Sequence, residues 1–269
     1  MSVRRVLSGV AAVAAVTLTF AMAAPAAAAG RKQTKPTIVL VHGAFADSSS
    51  WNGVIPLLQA QGYPVVAAAN PLRGVGSDAA EVSALLKSIS GPIVLVGHSY
   101  GGSVISNAAE GNPNVKALVY VAGFSPEVGE SAAALSAKFP GSTLGPALAP
   151  PVALAGGGKD LYIDQGKFRE QFAADVPAEQ ATLMAAGQRP ITEAALNEGS
   201  PAAAWKNIPS WHVYGSADKN IPPEAMAFMA QRAGARETVA VDGASHVVMV
   251  SHPDRVAQVV QNAAATATQ

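Results

Sequence analysis

Cysteine is absent from this chain of 269 residues. The absence excludes disulfide bonds, cysteine nucleophiles and thiolate metal ligands, so a packed apolar core must supply the stability. Charge is sparse as well, because 13% of the residues are charged and the 18 basic side chains balance the 18 acidic ones. The sequence contains no basic run or stripe that would indicate binding to nucleic acid.

Long apolar runs are also missing, with one exception at the N-terminus. Arg4 and Arg5 precede an apolar stretch over residues 6–24, and small residues follow over 25–29. This order is typical of a secretory signal peptide. We therefore expect cleavage near Ala29, secretion, and no stable membrane association of the mature domain over residues 30–269. An uncleaved membrane anchor is the alternative, which the many alanines of the run disfavour.

In the remaining chain, short β-rich runs alternate with helical patterns. The predicted strands are Thr37–Val41, Tyr63–Ala68, Pro92–Val96, Val115–Val121, Trp211–Tyr214 and Thr238–Val241. The predicted helices are Trp51–Gln61, Asp78–Ile89, Ser103–Glu110, Pro222–Ala233 and Pro253–Ala264. This alternation predicts an α/β fold, with a doubly wound, mostly parallel sheet and helices on both faces.

The alternation stops between residues 125 and 208. A Pro/Gly/Ala-rich stretch over 140–158 precedes two short helical patterns, Lys167–Ala174 and Ala178–Ala186. Because loops this long in compact domains are usually functional, we predict a helical cap inserted after the strand that ends near Val121. Its apolar residues either line an uncharged pocket or pack the cap on the core: Phe139, Leu161, Tyr162, Phe168, Phe172, Leu183, Met184 and Trp205.

A serine between glycines lies where a predicted strand gives way to a helix. The segment is Gly97-His98-Ser99-Tyr100-Gly101. In this strand–turn–helix context the pattern predicts a nucleophile elbow, a tight turn that projects the serine hydroxyl from the sheet. Glycines on either side allow the strand and the helix to approach closely. Ser99 is therefore the candidate nucleophile.

A serine hydroxyl needs a base to accept its proton, and the base needs an acid to orient it. In a doubly wound sheet these partners lie in loops after later strands, in the order serine, acid, histidine. His246 and Asp218 each follow a late predicted strand in that order. Glu127 is the rival acid, and Asp242 lies so close to a strand end that it fits a turn cap better. The other four histidines have less suitable positions. His42 lies in a turn, and His98 lies in the elbow and is expected to point elsewhere. His212 lies within a strand, and His252 lies at a helix start.

The oxyanion of an acyl-transfer reaction needs two backbone N–H donors. The residue after the nucleophile, Tyr100, supplies one. The second is expected from the loop after the first strand, which reads His42-Gly43-Ala44-Phe45. Ala44 is the predicted donor, and Phe45 is the alternative.

At these residues the chain resembles the α/β-hydrolase superfamily. Within it, the chain resembles small bacterial esterase-like hydrolases related to plant methyl esterases and hydroxynitrile lyases, through Phe45–Trp51, Asn70–Gly74 and Ala122–Ser131. The resemblance implies the α/β-hydrolase fold and a capped serine hydrolase that needs no cofactor or metal. Ester hydrolysis of a small molecule through Ser99, His246 and Asp218 is the leading hypothesis.

The sequence is also compatible with other functions of this fold. Lyases of the group use the same three residues with an added lysine. Lys219 follows Asp218 directly, although a solvated loop lysine is the simpler interpretation. A hydroxynitrile lyase, a cofactor-free haloperoxidase and a non-catalytic ligand-binding protein are the alternatives.

Overall fold

A computed structural model describes Met1 and residues 35–267 of the chain. Apart from Met1, the predicted signal peptide over residues 1–29 lies outside the described residues. The part that is described contains nine strands, eleven α-helices and two 3₁₀ helices.

The strands divide into a large sheet and a small one. In chain order they are β1 (Thr37–Val41), β2 (Val65–Ala68), β3 (Ile93–His98), β4 (Val115–Val121), β5 (Val152–Ala153), β6 (Lys159–Leu161), β7 (Ile191–Thr192), β8 (Ser210–Gly215) and β9 (Glu237–Val241). Six of them form a sheet in the order β2-β1-β3-β4-β8-β9, with every neighbouring pair parallel. The predicted parallel sheet is confirmed.

The helices flank this sheet. In chain order they are α1 (Val54–Ala60), α2 (Val75–Lys87), α3 (Tyr100–Ala108), α4 (Ala132–Ala137), α5 (Leu144–Ala147), α6 (Gln165–Phe172), α7 (Ala178–Gly187), α8 (Glu193–Asn197), α9 (Pro223–Arg232), α10 (Val248–Ser251) and α11 (Pro253–Thr266). Helices α1 and α11 pack together, and α2 packs on α3. Every residue of β3 is buried, as expected for a central strand covered by helices on both faces. None of the helices described is both long and apolar enough to cross a bilayer.

Three predicted helices begin three residues away from their predicted start, and one of them is α3, which begins at Tyr100 and not at Ser103. The helix predicted over Trp51–Gln61 is split, since a 3₁₀ helix over Ser48–Trp51 precedes α1. The Asp47 side chain caps this 3₁₀ helix by accepting a hydrogen bond from the Ser49 N–H. Helix α2 begins at Val75, before the predicted start, because the Glu198 carboxylate accepts hydrogen bonds from the first N–H groups of that helix.

The segment between β4 and β8 forms the predicted cap, but it is not purely helical. Helices α4 to α8 and a second 3₁₀ helix, Ala204–Lys206, accompany a small antiparallel sheet in the order β5-β6-β7. The cap is joined to the core at the loop before α2. There Thr192 donates to the Leu72 carbonyl, and the Arg73 guanidinium pairs with Asp160 at 2.7 Å. The cap is thus fastened next to the loops at the carboxyl ends of the strands.

Candidate active site

Ser99 lies in the tight turn between β3 and α3. Its φ of 53° and ψ of −124° are a strained conformation for a residue with a side chain. A β-carbon on Gly97 would lie 2.5 Å from the Gly101 carbonyl oxygen, and one on Gly43 would lie 2.7 Å from the Ser99 β-carbon. These close approaches require glycine, and they bring the loop after β1 against the elbow.

His246 and Asp218 form a buried pair at the same edge of the sheet. The His246 Nδ1 atom lies 2.6 Å from Asp218 Oδ2, and both side chains are at most 1% exposed. The other carboxylate oxygen accepts hydrogen bonds from the backbone N–H groups of Asn220 at 2.7 Å and Ile221 at 3.0 Å. These two hydrogen bonds fix the orientation of the carboxylate and keep Oδ2 directed towards the imidazole.

The hydrogen bond to Asp218 assigns the proton of neutral His246 to Nδ1. Nε2 then carries a bare lone pair. This atom is buried and has no hydrogen-bond partner among the described residues. A buried nitrogen with an unused lone pair can accept a proton from a hydroxyl that comes within reach.

The rival carboxylate Glu127 and the predicted turn cap Asp242 have other partners. Glu127 pairs with Lys206 at 2.7 Å, and this contact lowers the pKa of Glu127 below its ordinary value. Asp242 is exposed and accepts a hydrogen bond from the Ser216 hydroxyl. Within the part of the chain that the structure describes, Asp218 is the carboxylate that contacts His246.

His98 packs against His246, although its place in the elbow predicts that it points elsewhere. The ring centroids lie 4.8 Å apart, and His98 Nε2 lies 3.2 Å from the His246 carbonyl oxygen. Burial, followed by the charge of a protonated His246, lowers the pKa of His98 well below its usual value. Phe172 contacts both rings edgewise or at a tilt. The candidate base is thus held between two buried rings, one of them a neutral imidazole.

Both backbone N–H groups that the sequence predicts as oxyanion donors are unpaired. Those of Ala44 and of Tyr100, the first residue of α3, have no acceptor among the described residues. The Phe45 N–H instead donates to the Arg189 carbonyl at 3.0 Å. The Phe45 N–H is therefore unavailable as the alternative second donor, and the N–H groups of Ala44 and Tyr100 remain the candidate donors.

A cavity of about 400 Å³ opens at Ser99 beneath the cap. Its wall contains no charged side chain, and its polar residues are few. Two of them, Ser136 and Ser142, donate their hydroxyls to the Asn220 carbonyl. The lining residues are Ala44, Phe45, Ser99, Tyr100, Phe124, Ala132, Ala133, Ser136, Ala137, Phe139, Pro140, Gly141, Ser142, Leu144, Gly145, Leu148, Leu196, Asn220 and Ile221.

Most of the apolar cap residues that are candidates for the pocket wall do not line this cavity. Phe139 lines this cavity, but Leu183 and Met184 line a second one of about 320 Å³ on the other side of Phe45. Phe168 and Phe172 are fully buried and pack on each other. Packing of the cap on the core, the alternative that the sequence offers, accounts for these two residues.

Lys219 does not line this cavity. Its ammonium group pairs with Glu170 at 3.2 Å, and both side chains are substantially exposed. It is a surface lysine, and nothing in its contacts supports the added lysine of the lyases. No group of three or more His, Asp and Glu side chains among the described residues is placed to hold a metal ion.

Known proteins resemble this chain over most of its length. It is 27% identical to a pyrethroid hydrolase of Sphingobium wenxiniae, covering 84% of this chain and 87% of the relative. It is 25% identical to an alpha-hydroxynitrile lyase of Arabidopsis thaliana, covering 83% and 95%. The fold matches the crystal structure of polyneuridine aldehyde esterase with a TM-score of 0.74 at 18% identity, covering 85% and 99%.

The resemblance predicted from the elbow and the loops that follow the strands is confirmed. Residues 38–259 match the model of the alpha/beta hydrolase family, and the chain therefore belongs to that family.

Proposed function

We propose that this protein is a serine hydrolase that cleaves carboxylic esters of small molecules, with Ser99, His246 and Asp218 as its catalytic residues. The observation that carries the proposal is the buried His246–Asp218 pair, with the bare Nε2 of the imidazole available to a hydroxyl. A further relative, a pimeloyl-[acyl-carrier protein] methyl ester esterase of Aeromonas hydrophila that is 26% identical over 84% of this chain, supports ester hydrolysis as the reaction class.

The geometry supports a two-step acyl transfer. Ser99 Oγ attacks the ester carbonyl while its proton passes to His246 Nε2, and Asp218 stabilises the imidazolium that forms. The N–H groups of Ala44 and Tyr100 hold the negatively charged carbonyl oxygen. The imidazolium then gives its proton to the leaving alcohol. Water then attacks the acyl-Ser99 ester and gives a proton to His246. The imidazolium returns that proton to Ser99 Oγ as the acyl–oxygen bond breaks, and the acid is released.

Labelling and turnover of the purified mature chain test this proposal. A fluorophosphonate probe should attach to Ser99, and short p-nitrophenyl esters should be hydrolysed without any added cofactor. A folded protein that neither labels nor hydrolyses any ester of the series would support the non-catalytic binding protein instead.

The cavity at Ser99 supports an uncharged, apolar group on the substrate. Because its wall carries no charge and the two serine hydroxyls are already paired, a charged group there would lose its hydration without gaining a partner. An acyl chain that fills the cavity gains affinity by burying apolar surface. We therefore expect longer fatty acyl esters to be preferred to acetate.

Replacing Ala133 with phenylalanine should shorten the preferred acyl chain. Ala133 lines the cavity from helix α4, and a benzyl group there would occupy the space of several methylenes. The ratio of kcat/KM for p-nitrophenyl octanoate to that for the acetate should fall by about tenfold.

Ala134→Phe is the matched control for this substitution. Ala134 is the next residue of the same helix, but it is exposed and does not line the cavity. If both variants shift the ratio equally, or neither shifts it, the acyl chain does not occupy this cavity.

We further propose that the chain is exported. The basic pair Arg4 and Arg5, the apolar run and the small residues before Gly30 support this location. N-terminal sequencing of protein recovered from the culture medium should begin near residue 30. Retention of the uncleaved chain in the cell membrane would favour the anchor alternative.

A further inference from the structure

The side chain of Tyr100 makes a contact that the proposed mechanism does not use. Tyr100 follows the nucleophile, and its ring is fully buried. Its hydroxyl donates to Asp78 Oδ2 at 2.8 Å. Burial, followed by the negative charge of Asp78, raises the pKa of Tyr100, so the hydroxyl stays protonated and remains a donor.

Asp78 is itself held rigidly. Its carboxylate is inaccessible to solvent and lies in the first turn of α2. Both carboxylate oxygens lie 3.1 Å from the Arg73 backbone nitrogen, and Oδ2 also accepts a hydrogen bond from the Gly74 N–H at 3.4 Å. Desolvation raises the pKa of Asp78, although the donors around it counteract that rise. A buried carboxylate with several fixed donors is a firm anchor for the tyrosine hydroxyl.

The loop before α2, which contains Arg73, also forms hydrogen bonds with the cap. The Arg73 carbonyl accepts a hydrogen bond from the Thr192 hydroxyl at 2.9 Å, and the guanidinium donates to the Pro190 carbonyl at 2.7 Å. One residue earlier in the cap, the Arg189 carbonyl binds the N–H of Phe45, the neighbour of Ala44. The two proposed oxyanion donors are therefore each braced by contacts that lead to this short cap segment.

We infer that Tyr100 and Asp78 act as a positioning pair for the oxyanion hole, an inference that rests on the proposed function. Ser99 has a positive φ, and such strained residues persist only where their surroundings hold them. Helix α3 begins at Tyr100, so anchoring its side chain fixes the first turn of that helix and the direction of the Tyr100 N–H. The bond to Asp78 thus holds the donor at the place where the oxyanion forms.

Tyr100→Phe tests this inference, because it removes the hydroxyl and keeps the ring. We expect kcat for a p-nitrophenyl ester to fall by about tenfold or more, with KM changed by less than about twofold. A trifluoromethyl ketone, which forms a hemiketal oxyanion on Ser99, should lose affinity in parallel with kcat/KM.

Tyr120→Phe is the matched control. Tyr120 is also fully buried, and its hydroxyl lies 2.8 Å from the hydroxyl of Ser106 in the same helix α3. It does not line the cavity at Ser99. This variant should retain kcat and ketone affinity, even if its melting temperature falls as much as that of Tyr100→Phe.

The outcomes separate this inference from the proposed function. Unchanged kcat and ketone affinity in Tyr100→Phe would overturn the positioning role, and so would equal losses in the two tyrosine variants. A wild-type protein that hydrolyses no ester and takes no fluorophosphonate label would instead overturn the proposed function, whatever the variants do.

Discussion

Ser99→Ala is expected to lower kcat for p-nitrophenyl butyrate by about 10⁶-fold and to abolish fluorophosphonate labelling. The variant lacks the hydroxyl that forms the acyl intermediate in the proposed mechanism, while His246, Asp218 and the unpaired N–H groups of Ala44 and Tyr100 stay in place. What activity remains would come from binding and from the oxyanion donors acting on water. Steady-state kinetics and mass spectrometry of the probe-treated protein measure both effects.

Ser103→Ala controls for the loss of a buried serine next to the site. Ser103 lies in α3, one turn beyond the elbow, and its hydroxyl is buried without a hydrogen-bond partner among the described residues. Its removal should leave kcat and labelling unchanged. If Ser99→Ala kept more than about a tenth of the wild-type rate, a different nucleophile would have to be sought.

Local patterns predicted the strands of the large sheet well. A strand such as β3 is covered on both faces, so its apolar residues run continuously and the pattern is visible in a short window. The cap strands β5 and β7 have two residues each. Two residues are too few to show an alternation of apolar and polar side chains, and such segments pair only because tertiary contacts align them. The small sheet could therefore not be predicted from the sequence.

The start of α2 shows the same dependence on distant residues. The Glu198 carboxylate binds the N–H groups of Val75 and Gly76 across more than 120 positions of sequence. A local capping pattern cannot include such a partner. The apolar stripe of the segment predicts a helix from Asp78, three residues after the observed start.

In the candidate site, chain order and position after strands were sufficient to select Ser99, Asp218 and His246 as candidates. The supporting contacts were not accessible in the same way. The His98 ring contacts the His246 carbonyl across a sequence separation of 148 positions. The Tyr100 hydroxyl donates to Asp78 across a separation of 22 positions. Both are contacts between buried polar groups, and nothing in the spacing of these residues indicates which groups will meet.

Asp218→Asn is expected to lower kcat by about 10⁴-fold while KM stays nearly constant. The reason lies in the two backbone N–H groups that bind Asp218 Oδ1. An asparagine would keep its carbonyl oxygen towards these donors and would turn its NH₂ group towards His246 Nδ1. That nitrogen must then accept a hydrogen bond, the imidazole proton moves to Nε2, and the lone pair needed by Ser99 is lost.

Glu127→Gln and Asp242→Asn are the controls for the acid, since Glu127 is the rival that the sequence offers and Asp242 is the nearby carboxylate that the sequence assigns to a turn cap. An amide oxygen at position 242 can still accept the hydrogen bond from Ser216, and Glu127 lies at the surface, paired with Lys206. Both variants should retain wild-type kcat on p-nitrophenyl butyrate. A large loss in Glu127→Gln together with a small one in Asp218→Asn would transfer the orienting role to Glu127 and would show that the 2.6 Å contact of Asp218 with His246 is structural.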